Sequence, residues 1–161
     1  MAFTGYIKWG DIKGGSTAKS HTDESEVLYL NHGVQQQSFR SRSSEGAATT
    51  GRAEHGNVIA GLVLDCAWPK LNEACHKGTH IDKIVISLVK PGGDPLTYMM
   101  YTLENCLITS AALKGSAGSD TVYPEVEVGI GYATIEWQYD KMDEKGKSKG
   151  KVAAKVSLKE G

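Results

Sequence analysis

The sequence predicts a mainly β protein with one short helix, and three observations support this. Most apolar residues recur with period two or stand in short runs rich in Val, Ile, Tyr and Thr, which is typical of strands. A single segment has helical spacing. The longest apolar segment changes its buried face at a Gly-x-Gly pair, as a curved sheet requires. With 161 residues, the chain has the length of one globular domain.

Seven segments have the residue pattern of strands. They are residues 2–9, 25–39, 57–65, 81–90, 96–112, 122–142 and 152–158. The two longest are expected to bend or break. In residues 122–142, apolar residues up to Ile130 occupy one parity, and those from Ala133 onward occupy the other. The buried face therefore switches near Gly129 and Gly131, which predicts a bulge or glycine bend there.

The helix is predicted over Trp68–Lys77. Pro69 stands where a first-turn proline is tolerated, and Gly78 stands where a helix stops. Asp65 is a candidate cap for its start. Because one short helix cannot form a layer of its own, we expect it to cover a flank of the sheet.

Three segments read as connections. The Pro and Gly cluster at residues 91–95 predicts a hairpin, so the strands on either side of it should be antiparallel neighbours. Residues 40–56 predict a long irregular loop, and loops of that length usually have a function or a partner. Residues 140–151 mix acidic residues and lysines around two glycines, which predicts a solvated connection.

Charge and composition exclude several classes of protein. The formal net charge of −1 favours neither nucleic acid nor an anionic membrane. No apolar run is long enough for a membrane-spanning helix, and the N-terminus lacks the pattern of a signal peptide. Cys66, Cys75 and Cys106 are an odd number of cysteines in apolar surroundings, so we expect free, buried thiols in a reducing compartment.

We find no constellation of residues that predicts an enzyme, a cofactor or a metal ion. Cys75, His76 and His80 are close in sequence, but the helix would turn adjacent side chains about 100° apart. Two alternatives stay open: a barrel that binds a small ligand, with or without catalysis, and a barrel that binds nucleic acid through the lysines of residues 140–151.

Residues 25–39 carry a neutral polar face. One parity holds the polar residues Tyr29, Asn31, Gln35 and Gln37, and the other holds Leu28, Leu30 and Val34. Amides without charges suit a wet contact, although an ordinary exposed face is an equally good interpretation.

The order of these features resembles the haemolysin-coregulated proteins, the tube subunits of type VI secretion. The resemblance spans nearly the whole chain, and its specificity lies in the order of the segments. They are Met1-Ala2-Phe3, Tyr6-Ile7-Lys8, Gly10 to Gly14, Ser16, Thr17, His21, Glu26-Val27-Leu28, Gly33-Val34, Pro69-x-Leu71, Ala74-Cys75, Gly78, Lys90 to Gly93, and Tyr132 to Tyr139 with Trp137. Three positions depart from the family: Gly15 replaces a common Glu, and Leu30 and His32 stand where aromatic residues are frequent.

The resemblance implies a compact β-barrel of two antiparallel sheets with one short flanking α-helix over residues 1–161. It also implies six copies in a ring, rings stacked into a tube inside a contractile sheath, and expulsion behind a spike with effector proteins in the lumen. The protein would be made in the bacterial cytoplasm and exported without a signal peptide, with no enzymatic activity, nucleic acid or membrane insertion.

Two sets of contact residues follow from combining the resemblance with the loop and the polar face. Asn31 and Gln35 are expected to face the lumen. The loop over residues 40–56 is expected to contact a neighbouring subunit, through Ser43, Glu45, Thr49, Arg52 and His55.

Overall fold

Six antiparallel strands form a sheet that closes on itself as a barrel. The computed structural model describes residues 3–36, 38–40, 48–50, 53–91, 96–118, 120 and 122–159. The barrel strands are β1 (Thr4–Lys8), β2 (Ser25–Asn31), β7 (Val58–Val63), β8 (His80–Lys90), β9 (Leu96–Lys114) and β10 (Glu125–Gly131). Their order is β10-β7-β2-β1-β8-β9, and β9 pairs again with β10. The mainly β fold and the barrel are confirmed.

A hairpin of two further strands extends the sheet beyond β9. These strands are β11 (Thr134–Met142) and β12 (Ser148–Ser157). Residues 99–104 of β9 pair with β11, and residues 107–114 pair with β10. Between the two stretches, Asn105 has a positive φ of 51°, a backbone conformation that bends the chain. The same edge of β9 therefore pairs with β10 in the barrel and with β11 in the hairpin. The predicted bend of this long strand is confirmed.

Register shifts interrupt the barrel wall between β9 and β10, between β2 and β7, and between β8 and β9 at Leu88 and Val89. The first lies between Gly129 and Ile130, where the sequence predicted a bulge or bend, and the residue that it skips is Thr109 of β9. The register of β2 shifts between Val27 and Tyr29, which leaves Leu28 exposed and Leu30 packed against the core. A single apolar parity through residues 25–39 was therefore the wrong expectation, because a bulge inserts one residue and changes the side chain's face.

Helix α1 spans Trp68–Lys77, the predicted bounds. The N-cap residue is Ala67, which makes no side-chain cap hydrogen bond, so the expectation that Asp65 caps the helix was wrong. Asp65 lies two residues earlier, where one carboxylate oxygen accepts the Ala67 N–H at 3.0 Å and the backbone oxygen accepts the Trp68 N–H at 3.2 Å. Gly78 ends the helix in the left-handed conformation, with φ 65° and ψ 34°. Leu71 and Ala74 face the core, and α1 packs against β9. This helix, the one in the described residues, is not long and apolar enough to cross a membrane.

The core fills the barrel with branched apolar side chains and one indole. Trp9, Ile7, Ile84, Leu103 and Ile135 are among the side chains with no exposed surface. Along their strands, Ile7, Ile84, Leu103 and Ile135 stand between half-buried or exposed residues, which is the pattern of a sheet wrapped around a core.

A buried polar chain ties the barrel to the helix. The Trp9 indole Nε1–H donates to Ser25 Oγ at 2.9 Å, and the Ser25 hydroxyl donates to Asp65 Oδ2 at 2.8 Å. The same carboxylate oxygen accepts the Gly15 N–H at 3.0 Å. The connection between β1 and β2 is thereby fixed to the segment that starts α1.

Several expectations for cysteines and connections were wrong. Cys66 is exposed rather than buried, because it lies between the end of β7 and the start of α1, whereas Cys106 is buried as expected; all three thiols are free.

Residues 140–151 are not a simple solvated connection. Strands β11 and β12 continue into them, and Asp143 Oδ1 closes the turn by accepting the N–H groups of Lys145 and Lys147. Strands β8 and β9 are antiparallel neighbours as predicted, with Lys90 paired to Leu96, and residues 92–95 of the predicted turn lie outside the described residues.

Candidate functional site: the arm and its root

Two short two-stranded ladders lie between β2 and β7 in the chain, and we call residues 34–55 the arm, of which residues 34–36, 38–40, 48–50 and 53–55 are described. Its strands are β3 (Val34–Gln35), β4 (Ser38–Arg40), β5 (Ala48–Thr50) and β6 (Glu54–His55). β3 pairs with β6 next to the barrel, and β4 pairs with β5 farther out. The expectation of an irregular loop over residues 40–56 was wrong for the described part, because paired strands of two or three residues are too short to leave a periodic pattern.

The two chains of the arm leave the barrel side by side at a root formed by five residues. The Gly56 N–H donates to the Gly33 carbonyl at 3.0 Å. Tyr132, which lies between β10 and β11, places its hydroxyl 2.6 Å from His32 Nε2 and 3.1 Å from His55 Nδ1. The same hydroxyl donates to the Gly56 carbonyl at 3.2 Å. One phenol therefore contacts both chains of the arm.

Aromatic rings of the barrel wall pack around the two imidazoles. His55 stacks on Trp137 with a centroid distance of 6.4 Å and an angle of 25° between the rings. His32 lies 6.3 Å from Trp137 and meets Tyr101 edge-on at 6.0 Å. Tyr101 and Trp137 are directly paired across β9 and β11. The sheet outside the barrel thus supports the root.

The electrostatics of the root favour neutral side chains. Burial, and then the neighbouring His55, lower the pKa of the His32 imidazole from its ordinary value. Burial raises the pKa of the Tyr132 phenol to about 12. Both shifts have the same physical cause, because a group removed from water loses part of the solvation of its charged form.

The residues expected at subunit contacts lie at different distances from the root. His55 is half-buried within it, and Thr49 lies on β5, farther out along the arm. Ser43, Glu45 and Arg52 lie outside the described residues. The structure brings His55 together with His32 and Tyr132, which the sequence did not indicate, because the contacts join residues 77 and 100 positions apart.

Asn31 and Gln35, expected in the lumen, lie on either side of the root. Asn31 ends β2 and Gln35 ends β3, and both side chains are exposed. Their exposure agrees with the expected polar surface. Val34, assigned to the apolar parity, is also exposed.

A groove of about 1030 Å³ forms a second surface, near the end of β2 that is farther from the arm. The sequence did not predict this groove. The apolar residues lining it include the exposed Leu28, Leu113, Val122 and Tyr123. The apolar pair Val122 and Tyr123 was the available signal in the sequence. Concave apolar surface of this kind is typical of sites that bind another molecule.

Polar groups near the groove form an exposed network. Tyr29 donates to Glu127, and Lys114 contacts the same carboxylate oxygen at 3.0 Å. Hydrogen bonds from Tyr29 and Lys114 are the main causes that lower the pKa of Glu127. Across the described ranges, no group of three or more His, Cys, Asp or Glu side chains is arranged to hold a metal ion.

Comparison with known proteins gives one consistent family. Residues 6–139 match the family described as "Type VI secretion system effector, Hcp". The protein is 29% identical over 144 residues to Protein hcp1 of Pseudomonas aeruginosa, with 89% of this chain and 88% of that protein covered. A solved type six secretion system protein superposes with a TM-score of 0.91 at 26% identity, covering 99% and 98% of the two chains.

A second solved structure supports the fold alone. Hcp1 from Salmonella typhimurium superposes with a TM-score of 0.77 at 24% identity, covering 99% of this chain and 97% of that chain.

Proposed function

We propose that six copies of this chain, which belongs to the haemolysin-coregulated protein (Hcp) family of type VI secretion, close into a ring and that the rings stack into a tube. The family consists of tube-forming structural proteins, secreted by the type VI system, and not of enzymes. The observation that carries the proposal is the family match across residues 6–139. The tube would be expelled by contraction of a sheath, behind a spike, with effector proteins in its lumen.

The two surfaces of the chain support a ring. A closed ring needs two different patches on each subunit, because the contacts run head to tail. The arm projects from one part of the barrel, and the apolar groove lies at the other end of β2. A net charge of −1 also lets many copies approach without strong repulsion. We assign inter-subunit contact to the arm, including Ser43, Glu45, Thr49, Arg52 and His55.

Particle size in solution tests the ring. Analytical ultracentrifugation and negative-stain images should show a particle of six copies with a central hole. A monomer at high concentration would overturn the proposal. A monomer that binds DNA with strong salt dependence would indicate the nucleic-acid alternative instead.

Shortening the arm tests its role. Gln35 and Glu54 are cross-strand partners, so an Asn-Gly turn can join them and replace residues 36–53 without strain on the barrel. The variant should stay folded, because the buried core residues lie elsewhere, and it should form no rings. A matched control shortens the turn at residues 143–147 in the same way and should keep the rings. Rings in the arm variant would refute the assignment.

The lumen assignment has a separate test. We propose that Asn31 and Gln35 line the channel, and that Asn31→Arg reduces the retention of effector proteins while rings still form. The measurement is co-purification of an effector with the ring, and Lys70→Glu on the exposed side of α1 is the control. Unchanged retention, with residue 31 on the outer wall of an imaged ring, would contradict the assignment.

A further inference from the structure

The hairpin of β11 and β12 has an apolar side that continues the inner side of the barrel wall. Within the barrel, Leu103 of β9 is paired with Ile84 of β8, and both side chains are buried in the core. Leu103 is also paired with Ile135 of β11, which has no exposed surface. Because paired residues project from the same side of a sheet, the core-facing side passes from β8 through β9 into the hairpin.

This apolar side becomes exposed where the hairpin extends beyond the barrel. Ile135 has no exposed surface and Trp137 is half-buried, whereas Tyr139 is 50% exposed and its neighbour Val152 is 55% exposed. The cross-strand pairs on this side are Ile135 with Val156, Trp137 with Ala154, and Tyr139 with Val152. We call its exposed part, which comprises Tyr139, Val152, Ala154 and Val156, the hairpin face.

The opposite side of the hairpin is polar, so this part of the sheet is amphipathic. Asp140 is paired with Lys151, and Glu136 is paired with Lys155. The Lys155 Nζ lies 3.3 Å from Glu104 Oε1. A sheet with one polar and one apolar side normally exposes the first and covers the second. The described residues leave the hairpin face uncovered, which is typical of a surface that contacts a partner.

A second copy of the chain offers a matching apolar surface. The groove, lined by Leu28, Leu113, Val122 and Tyr123, lies where β9 ends at Leu113 and Lys114. The hairpin face lies beside the other half of β9, where Met99 is paired with Tyr139. Because a strand rises about 3.3 Å per residue, β9 keeps the two surfaces apart within one copy. Contact between them joins unlike patches of two copies, as the head-to-tail contacts of a ring require.

The charges around the two surfaces have opposite signs. Residues 140–155 contain six lysines and three acidic residues, whereas residues 114–128 contain one lysine and three acidic residues. Lys149 and Lys151 are exposed on β12, and Glu125 lines the groove. Opposite charges favour the approach of a hairpin to a groove, and like charges oppose the approach of two hairpins.

We propose that the hairpin face of one copy packs into the apolar groove of the next copy around the ring. The contact rests on the proposed function, because it supplies the two unlike patches of each subunit. The hairpin face begins beside Trp137, on which His55 of the arm stacks. The arm and the hairpin face would therefore contact the same neighbour.

Two charged variants, one on each surface, test the contact. Val152→Asp alters the hairpin face, and Val122→Asp alters the groove. The two valines are 55% and 88% exposed, so both variants should fold and melt close to the wild type. A carboxylate buried in the contact is unpaired, so each variant alone should show a fraction of rings at least about tenfold lower in mass photometry. Ala153→Asp, on the polar side of β12, is the control and should keep the rings.

Mixing the two variants identifies the occupant of the groove. The Val122→Asp protein keeps an intact hairpin face, and the Val152→Asp protein keeps an intact groove, so an equal mixture should form dimers that grow no further. Sedimentation velocity measures the dimer. Two hairpin faces packed against each other would leave the rings of Val122→Asp intact, and the arm packed on its own hairpin would leave those of Val152→Asp intact. Either result, or a mixture that stays monomeric, would refute the contact.

The failure of this contact and the failure of the ring give different results. Wild-type rings together with rings in both variants refute the contact and leave the ring proposal intact. Wild-type open chains without rings, together with dimers in the mixture, support the contact and refute the ring. A wild-type protein that stays monomeric at high concentration overturns both.

Discussion

Removing the Ser25 hydroxyl should destabilise the barrel through the indole that it leaves unpaired. Ser25 has no exposed surface, and it links the buried Trp9 Nε1–H to Asp65 Oδ2. In Ser25→Ala, the indole N–H keeps its burial and loses its acceptor. Asp65 keeps the Gly15 and Ala67 N–H groups as donors, so most of the expected loss comes from the indole.

The size of the effect can be worked out from these contacts. A buried donor left unsatisfied costs about 1–3 kcal/mol, so Ser25→Ala should lower the free energy of unfolding by about 2 kcal/mol. Trp9→Phe removes the donor and part of a fully buried ring, which should cost about 2 kcal/mol through the cavity. In the double variant no donor is left unpaired. Its cost should therefore be smaller than the sum by most of the Ser25→Ala loss, which is about 1–2 kcal/mol.

Urea unfolding of the four proteins measures this coupling. All four are compared at one protein concentration, because association adds to the apparent stability of a folded chain. Ser87→Ala, which removes a buried hydroxyl from β8, serves as the control and should show no coupling to Trp9→Phe. Strict additivity of Ser25→Ala and Trp9→Phe would refute the argument that the cost of the serine change lies in the orphaned indole.

Two further predictions concern single residues. Ellman's reagent should modify the exposed Cys66 in the folded protein but modify Cys106 only after unfolding, since burial prevents access and raises the pKa of that thiol to about 12. Gly78→Ala should lower the free energy of unfolding by about 1 kcal/mol, because an alanine is strained at φ 65°. Gly118→Ala is the control and should have little effect, because this glycine has open space around it and no positive φ. Thermal melting compares the stability of the two variants.

Local signals explain which elements could be predicted from the sequence. The bounds of α1 were correct because Pro69 and Gly78 act within one turn of the helix ends, and their effect does not depend on the rest of the fold. The register shift at Gly129 and Ile130 was predicted in place but not in strand: the Gly-x-Gly pair marked the position, whereas the skipped residue is Thr109 of β9. The bulge in β2 was missed because a polar and apolar alternation continues through Leu28 without a glycine to mark the change.

The root could not be predicted because its chemistry is assembled from distant residues. In the sequence, His32 precedes the arm and His55 ends it. Tyr132 follows His55 by 77 residues and lies between β10 and β11. Each of the three residues alone has an ordinary interpretation as a half-buried polar side chain. Only the pairing of β3 with β6, a ladder two residues long, brings the histidines to one hydroxyl.

The closure of the barrel limits which backbone groups are open to another molecule. In the eight-stranded sheet, β10 pairs with both β7 and β9, so β12 is the strand left with an unpaired edge. Lys149, Lys151 and Lys155 lie along β12, and lysines on an edge strand oppose pairing with another strand through repulsion and the cost of desolvation. The main sheet is thus protected against edge-to-edge addition. This charged edge fits the proposal that identical copies associate through the arm and the apolar groove rather than through the edge of β12.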